Sequence, residues 1–289
     1  MNAVLPTLIE RFSTLAPAYD LLLSDVWGVV HNGVAAYPEA GNALTRFRAR
    51  GGKVVLVSNS PRPGKPVMRQ LDHFGVVRTA YDEIITSGDV TRGLLEERAG
   101  AAVFHIGPER DLSIFEGLPV SFTTLEAADC VVCSGLFDDE TETPEDYRAV
   151  LDTMRARGLT MICANPDLVV ERGTQLVYCA GAIADLYASS GGEVIYAGKP
   201  HRPIYDLALQ KATAVRGSGV DLERVLAIGD SVRTDFKGAL GLGIDCLFVT
   251  AGIHAEELGH RDDPDLTALA AMFAETGRLP KAVTRRLVW

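Results

Sequence analysis

Six polar side chains of four chemical kinds stand at or just beyond short apolar runs in this chain, at positions where they could build one anion-handling site. Asp25 follows Leu21-Leu22-Leu23, and Ser58 with Asn59 follows Val54-Val55-Leu56-Val57. Lys199 lies in Ala197-Gly198-Lys199-Pro200, while Asp230 and Asp235 follow Val225-Leu226-Ala227-Ile228. Each piece alone is weak, because an aspartate after a strand often serves as a turn residue or helix cap, and Gly-Lys-Pro lacks the glycine spacing of a nucleotide P-loop. Together they suggest a metal-assisted site. Two carboxylates about 4 Å apart repel by roughly 4 kcal/mol at an effective dielectric of about 20, so Asp25 and Asp230 need a cation between them to converge. The all-oxygen donor set points to Mg²⁺, which retains waters and shares its sphere with a phosphate, leaving Lys199 and the Ser58 hydroxyl for the other phosphate oxygens.

The elements that must position these residues are legible in the periodicity. The runs Leu21–Leu23, Val54–Val57, Val225–Ile228 and Cys246–Val249 are continuous and apolar, as expected of strands buried on both faces of a parallel sheet. Pro38 followed by Ala40, Ala43, Leu44 and Phe47 at helical spacing, then Gly51-Gly52, delimits a helix between two of them. Strand, helix and strand in that order predict right-handed crossovers and a doubly wound α/β domain, whose ligands collect beyond the carboxyl ends of the strands. Leu5, Leu8, Ile9, Phe12 and Leu15 predict an amphipathic helix ahead of the first core strand. From about Ser87 to about Gly181 the chain carries its own strand and helix signals, enough for a second, inserted domain.

Composition narrows the class of partner. With 28 Lys+Arg against 38 Asp+Glu the net charge is −10, which argues against coating a long nucleic acid. No run approaches the roughly 18–20 apolar residues of a membrane span, and the first residues do not read as a signal peptide, so the expected location is the cytoplasm. The five cysteines, at 130, 133, 163, 179 and 246, fit buried thiols; in a strand Cys130 and Cys133 would face opposite ways, which disfavours a metal or redox pair.

The ordered motifs resemble those of the haloacid dehalogenase (HAD) superfamily, and within it the class IIA phosphatases. The resemblance rests on Asp25-Val26-Trp27-Gly28-Val29, Val57-Ser58-Asn59, Gly198-Lys199-Pro200 and Gly229-Asp230 through Asp235, with Asn165-Pro166-Asp167 as a further signature. It implies a Rossmann-like core over residues 1–86 and 182–289 and a smaller α/β cap over 87–181. It further implies that Asp25 is the nucleophile, forming an aspartyl-phosphate, and that Asp25, the Trp27 carbonyl and Asp230 serve Mg²⁺, with Asp235 either reaching the metal through water or holding Lys199 in place. Ser58, Asn59 and Lys199 would then meet the phosphate of a small phosphorylated metabolite, and the class's cap-mediated homodimer is a further expectation.

One position departs from the pattern. The superfamily's phosphatases carry a second aspartate two residues after the nucleophile as general acid–base, and here that residue is Trp27. Loss of such a group costs a factor of about 10²–10⁴ in rate. Three readings stay open: an enzyme restricted to good leaving groups, a substitute acid such as His31, or a non-catalytic protein that binds a phosphorylated ligand. Arg62 and Lys65 read as solvated turn residues, and Asn165 and Asp167 as either a turn, a substrate contact or a support for Lys199.

Overall fold

Apolar runs become strands wherever two faces need covering, and this chain has such runs in two places. The computed structural model describes residues 5–172, 175–261 and 263–289. In chain order its strands are β1 (Leu21–Ser24), β2 (Lys53–Ser58), β3 (Glu83–Thr86), β4 (Ala102–Ile106), β5 (Ser121–Phe122), β6 (Cys130–Cys133) and β7 (Met161–Cys163). They continue with β8 (Val169–Arg172), β9 (Gln175–Tyr178), β10 (Val194–Tyr196), β11 (Val225–Gly229), β12 (Asp245–Val249) and β13 (Ala282–Thr284). Two compact units result. The first holds the described residues up to Ser58, then Met68–Ile85 and Tyr205–Trp289; the second holds Asn59–Val67 and Thr86–Ile204.

In the first unit six strands lie in the order β13-β12-β11-β1-β2-β3. β1 pairs in parallel with both β2 and β11, and β11 and β12 continue the parallel pairing outward to β13. Every residue of β1 and β11 is buried, which their unbroken apolar composition requires. Chain order runs away from β1 on one side and away from β11 on the other, so the topological switch point lies between them. Ser24 pairs with Ile228, and this register sets Asp25 and Asp230 just past the carboxyl ends of neighbouring strands. The helix Pro38–Ala49 forms where the spacing predicts it, burying Ala40, Ala43, Leu44 and Phe47.

The expected N-terminal amphipathic helix does not form. The Thr7 carbonyl accepts from Val283 and the Ile9 N–H donates to it, both at 2.8 Å, so this backbone is spent on β13. Two single 3₁₀ turns come next, Phe12–Thr14 and Ala16–Ala18, with Phe12 buried against Phe47 and Trp289. Of the five spaced apolar residues only Phe12 is fully buried and Leu5 is exposed, so amphipathic spacing here reveals neither the burial nor which partner takes the backbone.

The second unit contains a five-stranded sheet in the order β10-β7-β6-β4-β5, its pairs parallel, and an antiparallel hairpin of β8 and β9. Alternate residues of β6 enter two cores. Val131 and Cys133 pack with the helices Arg148–Ala156 and Ala180–Ser189, whereas Cys130 and Val132 pack with Leu95, Ile114 and Phe115. The five cysteines are all buried and unbridged. The sequence boundary at 181 falls inside this unit, because β10 hydrogen-bonds to β7 and the unit runs on to Ile204. Among the described residues no helix is long and apolar enough to cross a membrane.

Candidate active site

Asp25, Asp230 and Asp235 converge at the switch point: one carboxylate oxygen from each lies within 4.8 Å of the others. Their exposures are only 9%, 5% and 3%, so water does little to separate the charges. Backbone N–H groups aim each acid. Val26 donates to Asp25 Oδ1 at 2.7 Å, Ile253 to Asp230 Oδ2 at 2.8 Å, and Ser231 to Asp235 Oδ2 at 3.2 Å. The Asp25 N–H extends the sheet to the Ile228 carbonyl at 2.7 Å, which fixes where the first acid leaves the strand.

Two glycines make room for Asp230. A Cβ on either Gly28 or Gly252 would overlap its carboxylate, and Gly28 also has φ +84°, a conformation glycine takes without strain. The sequence thus spends two side chains to seat one acid. Three buried carboxylates in mutual reach, with oxygen as the only donor type, fit a hard divalent cation.

The Trp27 indole lies against Gly33 and packs edge-on to His31 with ring centroids 5.1 Å apart, and His31 in turn meets Phe74 at 4.9 Å. His31 Nδ1 accepts from the Gly33 N–H at 2.9 Å. Only 3% exposed and surrounded by aromatic surface, His31 has its pKa pushed down to about 4 by burial. It is neutral near pH 7, and the one ring proton left to it, on Nε2, is too weakly acidic to protonate a departing oxygen.

Ser58 ends β2 and is buried. In the second unit, the Asn59 carboxamide is bound at both ends. Its Oδ1 accepts from the Lys199 N–H at 2.7 Å, and its Nδ2 donates to the Lys199 carbonyl at 3.1 Å and to Asp167 Oδ1 at 2.9 Å. Asn165 Oδ1 accepts from the Asp167 N–H at 3.1 Å, so the Asn165-Pro166-Asp167 turn is itself part of this brace. The Asn59 carboxamide thereby fixes the backbone of Lys199, which is 3% exposed.

Arg62 also differs from expectation. It is partly withdrawn from water, and burial lowers its pKa while the nearby Asp111 carboxylate opposes that shift. The loop Thr250–His254 is absent from the sequence reading altogether, although it supplies Gly252 and the Ile253 N–H to Asp230. Inspecting the residues just past every core strand, β12 included, would have found it.

Comparison with known proteins agrees with this architecture. The family described as haloacid dehalogenase-like hydrolase matches residues 22–120, and a second HAD-hydrolase-like family matches residues 196–275. A haloacid dehalogenase-like family hydrolase from Brucella suis 1330 shares 47% identity and superposes with a TM-score of 0.87, covering 97% of this chain and 100% of that one. The 5'-nucleotidase YutF of Bacillus subtilis is 27% identical over 83% of this chain and 90% of its own length. The D-glycerol 3-phosphate phosphatase of Mycobacterium tuberculosis is 28% identical over 92% of this chain and 69% of its own length. With acids at the switch point of a parallel sheet and a near-complete match to a 47% identical member, the chain belongs to the haloacid dehalogenase-like hydrolase family.

Proposed function

We propose that this hydrolase is a Mg²⁺-dependent phosphoric monoester hydrolase acting on a small phosphorylated metabolite through an aspartyl-phosphate on Asp25, and that it favours substrates with good leaving groups. The observation that carries the reading is the convergence of Asp25, Asp230 and Asp235. Relatives named as a 5'-nucleotidase and a D-glycerol 3-phosphate phosphatase support the reaction class.

Asp25, the Trp27 carbonyl, Asp230 and Asp235 are the residues assigned to Mg²⁺. The bound ion supplies charge neutralisation, letting a phosphate approach three carboxylates. The Val26 N–H donates to Asp25 Oδ1 and orients the carboxylate. In the first step an Asp25 carboxylate oxygen bonds to phosphorus as the bond to the leaving oxygen breaks, and that oxygen departs with the electron pair. In the second, water attacks phosphorus, inorganic phosphate leaves and Asp25 is restored. Ser58 and Lys199 are assigned to the phosphoryl oxygens, and the Asn59 brace holds the Lys199 backbone. We assign the segment 87–181, which lies within the second unit, as the cap.

Since neither Trp27 nor neutral His31 delivers a proton, the leaving oxygen must carry its own charge, which selects aryl, acyl or enol phosphates. The test is hydrolysis of aryl and alkyl phosphates of graded leaving-group pKa, with and without Mg²⁺, by the wild type and by Asp25→Asn. Expected is metal-dependent turnover that falls steeply as the leaving group worsens and disappears in the mutant. Turnover that survives in Asp25→Asn would overturn the assignment of the nucleophile. No turnover at all, with metal-dependent ligand binding retained, would favour a binding protein.

A further inference from the structure

The loop after β12 grips the loop after β11 at three consecutive residues. Gly252 is packed against the Asp230 carboxylate, the Ile253 N–H donates to Asp230 Oδ2 at 2.8 Å, and His254 Nε2 accepts from the Val232 N–H at 3.3 Å. The last contact falls at the head of the turn Val232–Phe236, where backbone donors lack partners within the turn. Nε2 can accept only if the ring proton sits on Nδ1. Nδ1 faces Glu257 Oε2 at 3.3 Å, and a carboxylate there selects that tautomer. The ring also stacks on Phe248 of β12, with centroids 6.3 Å apart, and its side chain is only 19% exposed.

We infer that His254, oriented by Glu257, is a positioning residue for the cation site, holding the Asp230–Val232 loop so that Asp230 stays aimed at the ion. This rests on the metal-dependent reading proposed above. Each hydrogen bond is long and weak alone, so the effect comes from their order: Glu257 sets the proton, the proton sets Nε2, and Nε2 holds the loop. A histidine present only to fill space beside Phe248 would be replaceable by any side chain of similar bulk.

The experiment is calorimetric titration of Mg²⁺ into the whole protein, with melting temperature as a check on folding, for the wild type, His254→Ala, His254→Leu and His254→Gln. Outer partners of metal ligands typically change metal affinity by about 10–100-fold, and about tenfold weakening is expected for His254→Ala and His254→Leu. His254→Gln, whose Oε1 can accept the Val232 N–H, should recover most of the loss. If the alanine variant does not fold, the leucine and glutamine variants decide. The inference is overturned if leucine restores binding as well as glutamine, or if folded variants without an acceptor bind Mg²⁺ like the wild type. A wild type that binds no Mg²⁺ would remove the metal reading itself and this inference with it, an outcome distinct from unchanged binding in the variants.

Discussion

Trp27 and His31 pack edge to face at 5.1 Å, so the residue standing where an acid is expected instead anchors the turn that follows Asp25. The exchange is therefore structural as well as chemical. Trp27→Asp should raise turnover of alkyl phosphates by about 10²-fold while leaving good aryl substrates nearly unchanged, because a proton donor matters most for the poorest leaving groups. It should also cost about 2 kcal/mol of stability, since Gly33 and His31 lose their aromatic cover. Steady-state kinetics and calorimetry on one preparation check both.

His31 predicts an acid-side loss of stability. Its folded pKa of about 4 lies below the ordinary value of about 6.5, so the unfolded chain takes up the proton first as pH falls. The stabilisation is therefore complete above about pH 6.5 and is lost progressively down to about pH 4, by at most about 3 kcal/mol. His31→Asn keeps an acceptor for the Gly33 N–H and should flatten this limb of the melting-temperature profile. Some slope should persist from His105, whose pKa burial also pushes down to about 4. An unchanged profile in His31→Asn would show that the ring does not titrate in this window.

Gly252→Ala introduces one methyl group where the Asp230 carboxylate already lies. Displacing that acid should reduce activity about 10- to 100-fold, the range seen when a metal ligand's support is disturbed. The loss should be partly relieved at high Mg²⁺, which a metal titration of the rate would reveal. Equal activity at all metal concentrations would mean that the loop yields at no cost.

Asn59→Asp swaps a donor for an acceptor opposite Asp167 Oδ1 and the Lys199 carbonyl. The clash should cost about 2–4 kcal/mol in stability and reduce kcat. Asp167→Asn added to it restores a donor–acceptor pair, so the double variant should recover part of the loss, and a double-mutant cycle measures the coupling. Additive effects would argue against the brace.

How much was legible in the sequence depends on how local each cause is. β1, β2, β11 and β12 were readable because burial on both faces demands unbroken apolar runs, and the three acids were readable because they come directly after two of those runs. The place of Val194–Tyr196 was not, since it is a three-residue strand whose sheet is decided by pairing with Met161–Cys163. The Asn59 brace joins residues separated by 108 and 140 positions, which no local spacing encodes. His254 escaped because its partner is the backbone of Val232, and a backbone donor leaves no mark on residue type.

The pairing of β1 with β11 joins segments about 200 residues apart in the chain. During synthesis β1 emerges long before β11, and it must wait with one edge unpaired while the whole of the second unit is made between them. Contacts of such separation close late and slowly. The acid cluster is therefore among the last features to exist on a nascent chain, and a ribosome-bound fragment ending before Val225 still lacks both Asp230 and Asp235.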